Sequence, residues 1–519
     1  MLVDCTVKSL YHICVSIYIK ALNEGNMKLI NKDMTSFKER PIKVVQFGEG
    51  NFLRGFVDYM IDVANEQGLF NGNIVLVKPI EFGDLKRFDE QDCQYTLQLR
   101  GIVNDKEYVE TRIITSIADA VDPFVDYTKY IDLAKLDSLR FVVSNTTEAG
   151  IVFDKDDPAN EPLNISFPAK LTRFLQTRFD FFKGDPTKGL IILPVELIDD
   201  NGIALKKCVN QYINLWHLDL KFAKWVEEAC IFTSTLVDRI VTGYPRDEAD
   251  EICQQLGYQD NLLDTAEPFA LWVIESAKDI SNEFPMDKAM FNKMGMEVIF
   301  TDNQKPYKQR KVRILNGAHT SFVLASFLAG NDTVMESMND NLINNYIKNT
   351  LANEVIPTLQ LPKAQLEIYT KAVIQRFKNP FIKHQLLAIS LNSVSKWRAR
   401  CLPSFLGYIE KYHELPKYLT FSIAALLRFY TSSEYNDGVL KGYRDKSAYD
   451  IRDDEKVLVF FDTISDLDTH NFVERYLSQS DFHGQDLSQI KGLTDKVTRY
   501  LTRINENGMR EAIAHLERD

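Results

Sequence analysis

The chain has 519 residues, 45% of them hydrophobic, and its 61 Lys and Arg against 73 Asp and Glu give a net charge of −12. This length favours two domains, because a single hydrophobic core stops growing at about 250–300 residues. The acidic balance excludes a general binder of nucleic acid or of anionic membranes, since both need clustered Lys and Arg. Seven dispersed cysteines and eight dispersed histidines predict a reducing, cytoplasmic environment and no metal site.

Residues 1–40 are predicted to form an extension ahead of the first domain, and residues 10–22 are an apolar run within it. This run is too short to span a bilayer, and no small-residue cleavage site follows it. Two interpretations remain open: a short amphipathic helix, or a leader upstream of a true translation start at Met27. We favour the second, because nothing after Met27 needs the extra segment.

Short β-rich runs alternate with amphipathic stretches between residues 41 and 290. The apolar runs predict four buried strands, at Ile42–Phe47, Ile74–Val77, Phe141–Val143 and Leu190–Leu193. Continuous apolar strands that alternate with helices indicate a parallel sheet covered on both faces, and therefore an α/β fold. Ligands of such sheets bind at the carboxyl ends of the strands.

The pattern changes after about residue 290, where strand-like runs become scarce. Helical periodicity then predicts five long helices, at residues 311–329, 334–358, 363–377, 380–400 and 415–430. We therefore expect a mainly α-helical second domain over residues 291–519, with a boundary somewhere in 265–305.

A strand–glycine–helix turn spans residues 44–55 and predicts a dinucleotide site. Gly48 and Gly50 would let the backbone turn sharply and approach a pyrophosphate at the helix N-terminus. The third glycine position holds Leu53, and the next glycine is Gly55, so a plain strand–helix turn stays open. Arg54 could reach a phosphate or be a solvated surface arginine. The candidate cofactor-binding residues are Val44, Val45, Gln46, Phe47, Gly48, Glu49, Gly50, Asn51, Phe52, Leu53, Arg54 and Gly55.

The end of the second predicted strand leaves the choice between NAD and NADP open. An acidic residue that binds the ribose is expected there for NAD, but the chain continues Val77-Lys78-Pro79-Ile80-Glu81. Glu81 could serve a little later in the loop, whereas Lys78 could accommodate a 2′-phosphate.

Three polar residues, Lys311, Asn316 and His319, open a strongly apolar helical stretch. On a regular α-helix they fall at roughly 0°, 140° and 80°, within one sector. Burying them without purpose is costly, although an exposed lysine with a satisfied amide and imidazole is an alternative. Such a set suits hydride transfer at a carbinol carbon: a desolvated lysine as base, an amide that donates to the oxygen, and an orienting histidine.

Positive charge concentrates in residues 376–398 of this acidic protein, at Arg376, Lys383, His384, Lys396 and Arg398. A carboxylate on the substrate would need such a local site, because arginine pairs with carboxylates through two parallel hydrogen bonds. Most of these side chains are expected to be solvated, with one or two in contact with a ligand.

Five strings, at residues 46–58, 144–151, 234–248, 311–320 and 376–392, resemble the polyol-specific long-chain dehydrogenase/reductase family, which includes the mannitol dehydrogenases. The resemblance implies a Rossmann-like N-terminal domain over 41–290, a helical C-terminal domain, and NAD as the cofactor. It also implies interconversion of D-altronate and D-tagaturonate, a small sugar acid and its ketone, in galacturonate breakdown. A fructuronate-, mannonate- or mannitol-type reductase, or a nicotinamide-binding protein without catalysis, remains the alternative.

The resemblance also implies roles for individual residues. Lys311 would be the general base, Asn316 and His319 would hold the reacting oxygen, and Asp238 would face the site. Where mannitol-type members carry an asparagine, this chain has Leu197. Either Asn316 then polarises the carbonyl alone, or Asn145 or Glu196 substitutes. The candidate substrate-binding residues are Asn145, Asp238, Arg376 and Lys396. For the oligomeric state, a monomer and a small homo-oligomer are both left open.

Overall fold

A computed structural model describes residues 27–147, 149–159, 166–289, 295–431 and 434–518. The two interpretations of residues 10–22 concern a segment outside these ranges. The chain divides into two compact units: the first runs to Gln304, and the second begins at Lys305 and also includes Gly101–Lys106.

Most strands belong to the first unit, and one small sheet lies in the second. In chain order they are β1 Ile42–Phe47, β2 Asn73–Val77, β3 Tyr95–Val103, β4 Lys106–Ile114, β5 Ile117–Val121, β6 Phe141–Ser144, β7 Ile191–Pro194, β8 Ile231–Phe232, β9 Ser234–Asp238, β10 Asp264–Ala266, β11 Ala270–Glu275, β12 Met296–Thr301, β13 Glu434–Asn436, β14 Val439–Arg444 and β15 Ser447–Ile451.

The main sheet of the first unit has six parallel strands in the order β5-β2-β1-β6-β7-β8. It contains the four predicted strands within a residue or so at each end, and the predicted α/β class is confirmed. Two further sheets have the orders β10-β3-β4 and β12-β11-β9. Because β1 and β6 are adjacent but distant in the chain, the strand order reverses between them, and α/β proteins bind ligands at such a point.

Alternation along β1 explains why helices cover both faces of the main sheet. Val44 lies in one hydrophobic core, whereas Val45 and Phe47 lie in a second core on the other side. Each such side chain contributes about 1.5–3 kcal/mol when fully buried. The helices of the first unit are Asn51–Leu53, Tyr59–Glu66, Lys86–Glu90, Tyr127–Asp132, Phe167–Phe181, Asn201–Leu215, Leu220–Ala229 and Ala249–Leu256.

The second unit is mainly helical. Its α-helices are Lys305–Arg310, Gly317–Leu328, Val334–Asn339, Asn341–Asn349, Lys363–Phe377, Leu386–Ile389, Ser393–Arg400, Leu402–Tyr412, Lys417–Tyr430, Glu455–Thr463, Thr469–Leu477, Ser480–His483 and Leu493–Arg518. The almost wholly buried helix Lys417–Tyr430 packs against Gly317–Leu328 and Leu493–Arg518. No helix among the described residues has the length and apolar character needed to cross a membrane.

Several predictions for the second unit are wrong in part. Residues 334–358 do not form one helix, because Asp340 is extended between the helices Val334–Asn339 and Asn341–Asn349. Residues 380–400 do not form one helix: the chain is not helical from Asn379 to Gln385, and Asn392 adopts a left-handed φ of 55° between two short helices. The strands β13–β15 were not predicted, although Asp437 and Gly438, both with positive φ, form the two-residue turn typical of a hairpin.

Candidate active site

Gly48 shapes the turn that follows β1. Its φ is +125°, and a Cβ there would lie 2.9 Å from Leu53 Cδ1 and 3.0 Å from the carbonyl oxygen of Asn145. A Cβ added to Gly50, in contrast, would meet nothing within 4 Å. The helix that begins at Asn51 has no side-chain cap. The turn therefore leaves open space beside an uncapped helix N-terminus, which is where a pyrophosphate binds in this type of turn.

The other residues of the turn mainly support it. Val44–Phe47 are fully buried, and Gln46 Nε2 donates a 3.2 Å hydrogen bond to the carbonyl oxygen of Gly48. A Cβ on Gly55 would lie 3.0 Å from both methyl groups of Val241. Gly55 thus allows the close packing that the third glycine of the usual pattern provides, two positions later than expected.

Arg54 is buried, so its interpretation as a solvated surface arginine is wrong. Its guanidinium donates to the carbonyl oxygen of Leu262 and to the side-chain oxygen of Asn51, and lies 5.4 Å from the centre of the Tyr95 ring. The Tyr95 hydroxyl donates in turn to the carbonyl oxygen of Arg54 at 2.8 Å. These contacts anchor the start of the helix.

The strand ends beside this turn carry a buried ion pair. Lys78 follows β2 directly and is 2% exposed, and its Nζ lies 2.5 Å from a carboxylate oxygen of Asp122, which follows β5. Glu81, the sequence candidate for the ribose, is exposed and offers its backbone carbonyl to Lys78 at 3.1 Å.

Glu196 holds the loop after β6. One carboxylate oxygen accepts the backbone N–H and the hydroxyl of Thr146, both at 3.0 Å, and the other accepts the Ser144 hydroxyl at 3.1 Å. Burial raises the pKa of Glu196. The neighbouring Leu197 is 65% exposed. The half-buried Asn145 donates its backbone N–H to the carbonyl oxygen of Phe47 at 3.0 Å. The carboxylate of Glu196 is thus already engaged within the fold.

Asp238 lies at the end of β9 and is 7% exposed. The following Arg239 is buried and donates to the carbonyl oxygens of Glu267 at 3.0 Å and Gly55 at 2.8 Å. Burial lowers the pKa of Arg239 to about 10. This corner of the first unit therefore braces the helix that follows the glycine turn.

In the second unit, Lys311–Asn316 form a π-helical segment inside the continuous helix from Lys305 to Leu328. Lys311 and Asn316 are half-buried, whereas Ile314 and Leu315 are buried. The predicted angles assumed a regular α-helix, and the wider π turn changes the direction of Lys311 relative to residues further along the helix. Such bulges are frequent at functional sites, because they redirect side chains.

His319, one turn later, is held between aromatic and basic neighbours. Its half-buried ring lies 4.3 Å from the Phe377 ring and 5.4 Å from the His384 ring, between centroids. Burial lowers the pKa of His319 well below its usual value. Its buried Nε2 has no hydrogen-bond partner in the described part of the chain. The imidazole is therefore neutral near pH 7, with one ring nitrogen that protein groups leave unsatisfied.

The basic groups that also lower the pKa of His319 belong to one cluster. Besides His384, they are Arg376, Arg400 and Lys396, so the structure brings two predicted carboxylate-binding residues to the predicted catalytic histidine. Burial and Arg400 lower the pKa of Lys396, whose Nζ donates to the carbonyl oxygen of Ile389 at 3.0 Å. We name Arg376, His384, Lys396 and Arg400 the basic cluster.

Sequence reasoning chose Arg398 and missed Arg400. Arg400 lies four residues after Lys396 on the helix Ser393–Arg400, so both project from one face. Arg398 is exposed and donates to the carbonyl oxygen of Asp481 at 3.2 Å, and Lys383 is also exposed. Helical spacing from Lys396 was the signal that would have identified Arg400. Among the residues that the structure describes, no group of three or more His, Cys, Asp or Glu could hold a metal ion.

A parallel sheet with a glycine turn after its first strand defines a dinucleotide-binding fold of the Rossmann type. The chain belongs to the mannitol dehydrogenase family: residues 42–288 match the family's Rossmann domain, and residues 303–505 match its C-terminal domain. The family consists of oxidoreductases that act on CH–OH groups, and this chain is one of them.

Two relatives with similar sequences carry the same name. The altronate oxidoreductase of Pectobacterium atrosepticum is 44% identical over 494 residues, which cover 94% of this chain and 99% of the relative. The altronate oxidoreductase of Escherichia coli O1:K1 is 43% identical over 497 residues, with 94% of this chain and the whole relative covered. The predicted resemblance is confirmed.

Two solved structures share the fold. A substrate-free D-sorbitol dehydrogenase has a TM-score of 0.72 at 22% identity and covers 93% of this chain and 100% of its own. The Pseudomonas fluorescens mannitol 2-dehydrogenase, in a ternary complex with NAD and D-mannitol, has a TM-score of 0.63 at 21% identity. The match covers 95% of this chain and 100% of that structure's chain. At these identities the likeness establishes the fold.

Proposed function

We propose that this protein is an NAD-dependent oxidoreductase that interconverts D-altronate and D-tagaturonate. The observation that carries the proposal is the basic cluster around His319, since a sugar acid needs a cationic site and a neutral polyol does not. The relatives named altronate oxidoreductase, at 43–44% identity, support the same substrate pair.

The first unit fits a dinucleotide. The space around Gly50 and the uncapped helix start at Asn51 would hold the pyrophosphate, with the turn fixed by Gly48 and by the buried strand β1. When bound, the nicotinamide supplies the acceptor for the hydride that leaves the carbinol carbon. The protein must supply the proton transfer and the orientation of the substrate.

Lys311 is the proposed general base. In the direction of oxidation, its neutral amine takes the hydroxyl proton of altronate while the C–H bond breaks and its electron pair leaves as hydride, which yields the ketone. In reduction, the ammonium returns the proton to the oxygen. Lys311 lies half-buried at the start of the π-helical segment, so its amine is partly desolvated and still accessible to a substrate.

Asn316 and His319 are proposed to hold the reacting oxygen. An amide N–H of Asn316 stabilises the charge that develops on the oxygen, and the neutral His319 can donate or accept with its unpartnered nitrogen. Glu196 already bonds Ser144 and Thr146, and Leu197 replaces the asparagine of mannitol-type members. These features favour Asn316 as the principal amide donor.

The substrate carboxylate is assigned to Arg376, Lys396 and Arg400. Burial lowers the pKa of Lys396 and that of Arg400, so an anion in this cluster meets cations with limited hydration. Asn145 and Asp238 remain proposed substrate contacts. The described cysteines are all buried and free, which fits the proposed cytoplasmic role in galacturonate breakdown.

The deciding experiment measures NADH formation with D-altronate, D-mannonate and D-mannitol, each with NAD and with NADP. We expect the highest kcat/KM for D-altronate with NAD. Faster turnover of mannonate or mannitol than of altronate would contradict the proposal that D-altronate is the substrate. Binding of NADH without turnover of any of these compounds would point to the non-catalytic alternative.

A further inference from the structure

The end of β2 carries a lysine where many dinucleotide-binding proteins carry the acidic residue that binds the adenosine ribose. By sequence alone, Lys78 would read as a ligand for the 2′-phosphate of NADP. Its contacts show a different role, because they join the loop after β2 to the residue that follows β5.

All three protons of the Lys78 ammonium have partners within the protein. Nζ lies 2.5 Å from Asp122 Oδ2, 2.7 Å from the carbonyl oxygen of Gly83 and 3.1 Å from that of Glu81. An ammonium group has three donors and no more. Lys78 therefore closes the loop after β2 onto the end of β5, and a phosphate could recruit it only by displacing one of these partners.

Two carboxylates, those of Asp122 and Glu49, lie near the Lys78 ammonium. Asp122 belongs to the ion pair itself, and its second oxygen accepts the backbone N–H of Phe124 at 2.9 Å. Glu49, in the glycine turn, lies close enough to interact with Lys78, Asp122 and Arg54. The Arg54 guanidinium already donates within the fold. Beyond Asp122, the adjoining cleft is lined by three further aspartates and two lysines: Asp84, Asp89, Asp126, Lys86 and Lys129.

We propose that Asp122 and Glu49 make this site reject NADP, and that Lys78 positions the loop without recognising phosphate. This inference rests on the proposed dinucleotide site. A 2′-phosphate carries about −1.5 to −2 charges at pH 7 and would face the Asp122 and Glu49 carboxylates, while the Lys78 ammonium beside them already has three partners. A ribose hydroxyl carries no charge and meets no such repulsion.

The test compares dissociation constants of NADH and NADPH by fluorescence titration, and those of 5′-ADP and 2′,5′-ADP by calorimetry. The variants are Asp122→Asn and Glu49→Gln, which keep the shape and remove the charge. Asp119→Asn is the matched control, because Asp119 lies on β5 and pairs with Lys129 at 2.7 Å. We expect the Kd ratio of NADPH to NADH to fall about tenfold in Asp122→Asn, severalfold in Glu49→Gln, and not in the control.

Lys78→Met separates the two roles of the lysine. If Lys78 recognised phosphate, its loss would weaken NADPH binding selectively; we expect no selective loss, together with a lower melting temperature. Equal affinity of the wild type for NADH and NADPH, or an unchanged ratio in both carboxylate variants, would overturn the inference. If Asp122→Asn fails to fold, the ratio in Glu49→Gln decides.

The proposed dinucleotide site and the proposed rejection of NADP are refuted by different results. Wild-type protein that binds neither dinucleotide nor either adenosine phosphate would refute the dinucleotide site and this inference with it. Tight NADH binding with a ratio that the carboxylate variants leave unchanged would refute the inference alone.

Discussion

The described residues contain three π-helical segments, Arg54–Asp58, Lys311–Asn316 and Thr350–Val355, and the first two have opposite surroundings. In Arg54–Asp58 every residue is buried, whereas in Lys311–Asn316 only Ile314 and Leu315 are buried. Both segments redirect side chains through a widened turn. The comparison teaches that a π turn serves packing in Arg54–Asp58, whereas in Lys311–Asn316 it leaves polar residues at accessible surface. The first segment is part of the packing behind the glycine turn.

The charges around the two segments differ in the same way. Burial raises the pKa of Asp58 to about 8, although the nearby Arg54 opposes this rise, so the Asp58 carboxyl is mostly uncharged near pH 7. Around His319, burial and the basic cluster act in one direction. The first arrangement needs no ligand to complete it, whereas the second favours an anion.

Lys311→Ala gives the strongest test of this contrast. We expect kcat to fall by about 100- to 10,000-fold, the range for a positioned acid–base group, with little change in melting temperature. Arg313→Ala is the control on the same segment, because Arg313 donates to the carbonyl oxygen of Thr358 at 3.3 Å. An equal loss of turnover in the control would mean that the segment's conformation, and not the amine, is what matters.

Gly48→Ala and Gly50→Ala should separate stability from cofactor binding in the first unit. Gly48→Ala is expected to cost about 1–3 kcal/mol of unfolding free energy, because of its φ of +125° and the contact at 2.9 Å. Gly50→Ala should leave stability within about 0.5 kcal/mol yet weaken NADH binding. Denaturant melts and NADH titrations measure both; equal destabilisation by the two would contradict the geometry.

Arg400→Met should raise the KM for D-altronate about tenfold while leaving any KM for D-mannitol unchanged, because only the acid carries a carboxylate. Arg398→Met, two residues away on the exposed side, is the matched control. Steady-state kinetics with both substrates check this. If both variants behaved alike, the basic cluster would not read the carboxylate.

The smallest expected effect is on pH-dependent stability. The folded-state pKa of His319 lies below the unfolded value of about 6.5, so the unfolded chain binds the extra proton first. His319 therefore lowers stability as the pH falls from about 6.5 towards its folded pKa, by at most about 1.4 kcal/mol per pH unit. Denaturant melts of His319→Gln between pH 7.5 and 5 should show a shallower decline; an identical decline would contradict this.

The sequence predicted the main sheet well, because runs such as Ile42–Phe47 are buried on both faces and leave a continuous apolar signal. It failed where distant contacts decide. Arg54 looks like a surface residue until Leu262, 208 residues away, is seen to accept its hydrogen bond. The π-helical segment Lys311–Asn316 has no signature in periodicity. Arg400 was missed because the positive charges were grouped by their order in the sequence, and their positions around the helix were not compared.

The order of strands in the main sheet has a consequence for synthesis of the chain. β1 is central, and one of its two partners, β6, begins at Phe141, more than 90 residues after β1 ends. At roughly 5–20 residues per second, a ribosome needs about 5–20 s to supply that partner. During this interval the edge of β1 and the apolar residues Val44, Val45 and Phe47 lack their final cover. The nascent first unit is therefore expected to depend on chaperones just when its nucleotide-binding turn has emerged.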